Sequence, residues 1–243
     1  DYEFSTSKDV EINLWKNVYY KVIEEFRKRL RKVGAASNDC SFNDELIKLI
    51  IFIHNSPIKD QESQSQISDL TGAAFKSFLD QSSQFYNNFI AKFQSTFNLN
   101  LDKPVPEDIS DTNATLYKQY LSCHRSLTYL GDLGMEYINL FFKTKFNINF
   151  LARYIRDINP KSRDWMASAE YYKRAVKLMP SWGNPHNQLA VLNTYCDDDF
   201  NATYHYFRSL AVTHPFLTAR DNINVLLEKN KTKIDNSQSS QSS

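Results

Sequence analysis

The densest run of chemistry-bearing side chains is Arg27-Lys-Arg-Leu-Arg-Lys32, five cations in six positions. On a helix turning about 100° per residue, Lys21, Lys28 and Lys32 fall within roughly 40° of one another. Ammonium groups on one face, met by cations of a neighbouring helix, can hold a doubly charged phosphate by charge-assisted hydrogen bonds. The same run also reads as a solvated face partly neutralised by Glu24 and Glu25, or as a nuclear localisation stretch. Enzyme signatures are missing: no glycine-rich phosphate loop, no Gly-x-Ser-x-Gly, no His-Glu-x-x-His and no Cys/His set with zinc spacing. Asp197-Asp-Asp199 falls between two helical patterns, where carboxylates cap the following helix. His54, His124, His186, His205 and His214 are scattered and read as satisfied or exposed histidines rather than ligands. The expectation is a chain with no catalytic residue, no metal and no cofactor.

Helices must position these residues. Leu14, Trp15, Val18, Tyr19, Val22, Ile23, Phe26, Leu30 and Val33 form a wide apolar stripe, predicting a helix from near Ser7 or Asp9 to Gly34. A second helix reads from Leu70 to about Phe97, and Lys103-Pro-Val-Pro-Glu-Asp108 breaks the pattern before a third from about Ala114 to Leu133. The last third repeats on a tetratricopeptide-like frame of about 34 residues. Tyr172, Ala175 and Pro180 occupy one period; Leu189, Ala190, Ala202, Tyr206, Ser209 and Pro215 follow in the next. Small residues let antiparallel helices approach closely, so helices are expected near 164–178, 184–195, 200–213 and 216–229, stacked as hairpins. The stretch 231–243, ending Asn236-Ser-Gln-Ser-Ser-Gln-Ser-Ser243, is too polar to bury anything and is expected to be a disordered tail.

Composition agrees with an all-α protein. The chain has 243 residues, 42% apolar and 14% aromatic, with only five Gly and seven Pro. That suffices for a substantial core and suits long helices better than a many-stranded sandwich. Its 29 Lys+Arg against 28 Asp+Glu give a net charge of +1, which argues against a generic nucleic-acid coat or a membrane-surface sensor. No apolar run approaches the roughly 18 residues of a membrane span, and no secretory signal opens the sequence. Three widely spaced cysteines, Cys40, Cys123 and Cys196, suit a reduced compartment: cytoplasm, with shuttling to the nucleus.

Several strings together resemble a known family. They are Cys123-His-Arg-Ser-Leu-Thr-Tyr-Leu-Gly-Asp-Leu133, Arg163-Asp-Trp165, Ala169-Glu-Tyr-Tyr-Lys-Arg-Ala175, Pro180-Ser-Trp-Gly-Asn-Pro-His-Asn-Gln-Leu-Ala190 and Thr218-Ala-Arg-Asp-Asn222. They are similar to the N-terminal domain of SMG-type nonsense-mediated-decay adaptors and ever-shorter-telomeres proteins, the wording being nearest the seventh-member adaptors of plants and protists. The resemblance implies a 14-3-3-like helical domain with tetratricopeptide hairpins over 1–230, binding phosphoserine or phosphothreonine peptides. Carried over residue by residue, Lys21 matches the family's early-helix phosphate-binding Lys. Arg153 and Tyr154 match the end of its Gly-Asp-Leu-Ala-Arg-Tyr motif. Asn187 and Asn222 stand where peptide-clasping Asn residues stand, with the alternative that they cap or bridge helices. Lys28 is added because it lies two turns beyond Lys21 on one face. Implied partners are the phosphorylated upframeshift RNA helicase, a heterodimer with another SMG-type adaptor, and mRNA decay factors. Telomerase-associated contact with single-stranded nucleic acid along Arg27–Lys32, or a passive repeat scaffold, are the rival readings; a membrane partner is not expected.

The motif is split. Leu130-Gly-Asp-Leu133 and Ala152-Arg-Tyr154 are separated by the eighteen residues of 134–151, an aromatic, Asn-rich insertion. A fully helical insert would displace Arg153 by roughly 27 Å along the axis, so only one that loops out leaves it beside Lys21. The string suits AT-rich codons with GT and AG ends and reads as a translated intron; a transcript carrying these codons would end that reading.

Overall fold

The computed structural model describes residues 12–35, 63–106, 108–144 and 165–239. Those residues are helical or in the turns between helices, with no strand among them, as an all-α fold requires. Within the stretch expected to form one domain, they group into two compact units. One draws on 1–85 and 135–158, the other on 86–134 and 159–243.

In the first unit a π-helical turn, Trp15–Tyr19, leads into α1 (Tyr20–Ala35). Its apolar stripe buries Ile23 and Leu30. The Phe26 ring stacks on Phe75 at 4.8 Å, and Tyr19 meets Phe78 and Phe85 near 6 Å, so aromatic pairs join α1 to the early part of α2 (Ser63–Phe97). Arg27 adds a polar tie. Its Nε donates to Glu136 Oε2 at 2.9 Å, a second guanidinium nitrogen donates to Glu136 Oε1, and the third donates to Glu24 Oε1. Glu136 lies on α4 (Ala114–Thr144).

In the second unit, α2 stops where Asn98 takes the left-handed conformation, φ 50°, allowing Leu99 to turn back and donate to the Gln94 carbonyl. Leu99 and Leu101 are buried. Pro104 and Pro106 keep the next segment out of a helix, and the Val105 N–H donates to the Leu178 carbonyl at 2.9 Å. One turn, α3 (Ile109–Thr112), precedes α4, whose residues 126–131 are all buried.

The repeat follows as α5 (Met166–Leu178), α6 (Asn184–Tyr195), α7 (Asp199–Leu210) and α8 (Ala219–Ser239), each packing on the next. The small residues read from the sequence, Ala175, Ala190, Ala202 and Ser209, are fully buried at these crossings. Gly183 shows why: a Cβ there would stand 2.2 Å from the Ser209 carbonyl oxygen. Asp198 caps α7, its carboxylate accepting from the Asn201 N–H, after Asp197 makes a left-handed turn at φ 54°.

Three boundaries differ from expectation, the first being α2, which begins at Ser63 rather than Leu70. The last helix runs to Ser239, past residue 231 where the disordered tail was drawn. Lys229 and Lys233 reach back to Asp197 and Asp199, tying the extension to the start of α7, and helix propagation adds a hydrogen bond per residue. The third helix does not end at Leu133 but continues to Thr144, into the insertion. Glu136 and Leu140 are buried at the spacing that prolongs the face of Leu133, so residues 134–144 of the block continue the helix. Residues 145–151 of it lie outside the described residues. No helix among the described residues is long and apolar enough to cross a membrane.

Candidate functional site

Neighbours separate the cations of the early basic run by availability. Arg27 is committed to Glu24 and Glu136, and Arg29 to Glu25 at 2.7 Å. Hydrogen bonding to Glu136 pushes the Arg27 guanidinium pKa further up, against the opposing effect of burial, so this charge is fixed. Lys21 and Lys28 are exposed on α1 and make no ion pair or hydrogen bond among the described residues. They stand two turns apart on one face, their Cα atoms about 10 Å apart along the axis, with no carboxylate paired to either among the described residues. Arg153 and Tyr154 lie outside the described residues.

Asn187 and Asn222, thirty-five positions apart, are brought together in the other unit: Asn222 Nδ2 donates to Asn187 Oδ1 at 2.9 Å. The bond bridges α6 to α8. It leaves Asn187 Nδ2 and Asn222 Oδ1 for a further partner. The next residue, Gln188, reaches a hub that the sequence reading did not single out. Asp132 Oδ1 accepts from Gln188 Nε2 at 2.8 Å and from the Tyr172 hydroxyl at 2.7 Å, tying α4, α5 and α6. The signal for it was Gly131. The Tyr172 ring lies where a Cβ on that residue would be, 2.3 Å away, and this close approach brings the phenol to Asp132.

Two of the histidines expected to be satisfied or exposed are paired with each other. His186 and His205 face each other Nδ1 to Nδ1 at 2.9 Å, with ring centroids 5.2 Å apart. That centroid spacing is what a head-on hydrogen bond gives, so one ring donates and the other accepts. Burial, then His205 and Arg208, lower the His186 pKa to about 4, and burial with Lys173 lowers that of His205. His124 is buried with neither ring nitrogen hydrogen-bonded, its pKa lowered to about 3 by desolvation and then by Arg125. No group of three or more metal-ligating side chains occurs among the described residues. A cavity of about 580 Å³ between Pro104, Val105, Tyr117, Met179, Pro180 and His214 is walled mainly by uncharged groups and offers no paired cations to a phosphate.

Comparison with known proteins matches two separate stretches of the chain. Residues 9–134 match the family model described as telomerase activating protein Est1, and residues 168–243 match one described as Est1 DNA/RNA binding domain. The chain is 34% identical over 240 residues to nonsense-mediated mRNA decay factor SMG7 of Arabidopsis thaliana, covering 96% of this chain and 20% of the relative. It is 29% identical to telomerase-binding protein EST1A of Danio rerio, covering 97% of this chain and 12% of the relative. Nonsense-mediated mRNA decay factor SMG5 of Danio rerio is 22% identical, over 89% of this chain and 16% of the relative. The chain thus spans about a fifth or less of the length of these relatives. The motifs around Gly131, Ala175 and Asn222 pointed to this group, and with the first model matching more than half of its residues, the chain belongs to the Est1 family.

Proposed function

We propose that the chain is a phosphoserine/phosphothreonine-peptide-binding adaptor of nonsense-mediated mRNA decay, without enzymatic activity. Its ligand is a phosphorylated segment of the upframeshift RNA helicase; its other partners are decay factors and a second SMG-type adaptor, in the cytoplasm with shuttling to the nucleus. The observation that carries this reading is the availability of Lys21 and Lys28, exposed on one face of α1 while Arg27 and Arg29 are held by carboxylates. A phosphoryl group brings about −1.5 to −2 charges, which paired cations favour strongly over a neutral hydroxyl. Arg153 would supply a bidentate guanidinium and Tyr154 a hydroxyl, with Asn187 and Asn222 clasping the peptide backbone.

The test is a titration with one Ser-Gln peptide in phosphorylated and unphosphorylated forms. Lys21→Glu combined with Arg153→Glu should abolish binding of the phosphorylated form and leave the circular dichroism spectrum unchanged. Retained binding by that double variant would rule the site out. The rival reading, a single strand tracked by Arg27–Lys32, predicts a steep loss of affinity with salt and indifference to peptide phosphorylation. Commitment of Arg27 and Arg29 to carboxylates weighs against it.

A further inference from the structure

The outer face of α7 carries an aromatic stripe that the described residues leave more than half exposed. Ala202, Tyr206 and Ser209 point into the core, whereas Phe200, Tyr204 and Phe207 are 82%, 52% and 58% exposed. These three recur at i, i+4 and i+7, within about 60° of arc, the spacing by which one helix packs on another. Cations flank the stripe. The Tyr204 ring meets the edge of His205 at 5.0 Å, and Lys173 of α5 is near enough to lower the His205 pKa. Arg208, on α7 itself, bears on His186 in the same way. Lys177 stands one turn beyond Lys173. Lys173, Lys177 and Arg208 are exposed, and none has an ion-pair partner among the described residues. At the opposite end of the stripe, Lys229 and Lys233 pair with Asp197 and Asp199, and Asp198, two residues before Phe200, keeps a carboxylate with no ion-pair partner among the described residues.

We propose that α7 and the adjoining cationic edge of α5 form a docking surface for an acidic amphipathic helix of a protein partner. Its apolar side would cover Phe200, Tyr204 and Phe207, and its carboxylates would meet Lys173, Lys177 and Arg208. Charge distribution selects this occupant. A single nucleic-acid strand could stack on the aromatics, but its evenly spaced phosphates would run into the Asp198 carboxylate, with which no lysine among the described residues pairs. A helix can vary its charge from turn to turn, presenting glutamates at one end and a lysine at the other. The surface is independent of Lys21 and Lys28.

The test uses the full chain and three labelled probes: a helix-stapled peptide with leucines on one face and glutamates beside them, the same peptide with lysines for glutamates, and oligouridine. Fluorescence anisotropy should show binding of the glutamate peptide alone. Phe200→Ser with Phe207→Ser should weaken it at least about tenfold. Lys173→Glu with Arg208→Glu should transfer the preference to the lysine peptide. Because these side chains are exposed, the variants should keep the parent melting temperature. Bound glutamates should also raise the His205 pKa in an NMR titration, reversing the effect of Lys173. No binding of the glutamate peptide, equal binding of the two peptides, unchanged affinity in both variants, or oligouridine binding that depends on the same residues would each overturn the proposal. The Lys21→Glu, Arg153→Glu variant should bind the glutamate peptide normally, so failure of the phosphopeptide reading is distinguishable from failure of this one.

Discussion

Tyr172 lies across the backbone of Gly131, its Cε1 only 2.3 Å and its Cζ 2.6 Å from where a Cβ would project. The ring is fully buried and its hydroxyl is anchored on Asp132, so it has no room to rotate away. Gly131→Ala should therefore cost about 1–3 kcal/mol, the range for overpacking a close-packed interior. Urea unfolding of the purified variant checks this, and an unchanged midpoint would mean that α4 and α5 separate freely. Gly183 faces an even closer backbone atom, the Ser209 carbonyl oxygen, at the crossing of α6 and α7. Sequence alone marks both glycines as motif residues; the reason each must be glycine is a neighbour 41 or 26 positions away.

Among the elements, the tie between α1 and the end of α4 is polar as well as aromatic. The Glu136 side chain is 9% exposed and that of Arg27 31%, so removing either partner leaves a partly desolvated charge. Glu136→Ala is expected to destabilise by about 1–3 kcal/mol, below the range for a wholly buried pair because solvent reaches Arg27. The double variant with Arg27→Ala should lose less than the sum of the two single losses. Strict additivity in a double-mutant cycle would show that the pair carries no coupling. The extension of α8 is different. Lys229 and Lys233 pair with aspartates on the surface, where ion pairs contribute little, so its amides should exchange faster than those near the buried Ile223 and Leu226.

For the whole molecule, the buried histidines make stability depend on pH. His124 and His186 have pKa values lowered to about 3 and about 4, whereas in the unfolded chain each takes a proton near 6.5. Below about pH 6.5 the unfolded state therefore binds more protons than the folded one, and stability rises with pH through this window. It is fully present above about 6.5 and is lost progressively as the pH falls towards 4. The melting temperature should drop by at least about 4 °C between pH 7 and pH 5. His124→Phe with His186→Gln should flatten that dependence. A wild-type profile already flat over this interval would mean that both imidazoles take up protons in the fold as readily as in the unfolded chain.

Much of the fold was legible because its causes are local. Hydrophobic period, prolines and small residues set the helices near 166–178 and 184–195, and the acidic cluster before Phe200 had the spacing of a cap. Period and breakers act within a few residues, so they can be read off a string. The availability of Lys21 could not be read that way, because Arg27 finds Glu136 at a separation of 109 positions and only the folded chain decides which cations remain free. Nor could the Asn187–Asn222 bond, the head-on His186–His205 pair or the passage of α4 into the insertion be read, since each depends on helices meeting across tens of residues. Sequence by itself determined the helical class and the family, through local periodicity and motif wording. Tertiary structure alone decided which polar groups face one another and which are left for a ligand, because burial and pairing are properties of distance in space rather than along the chain.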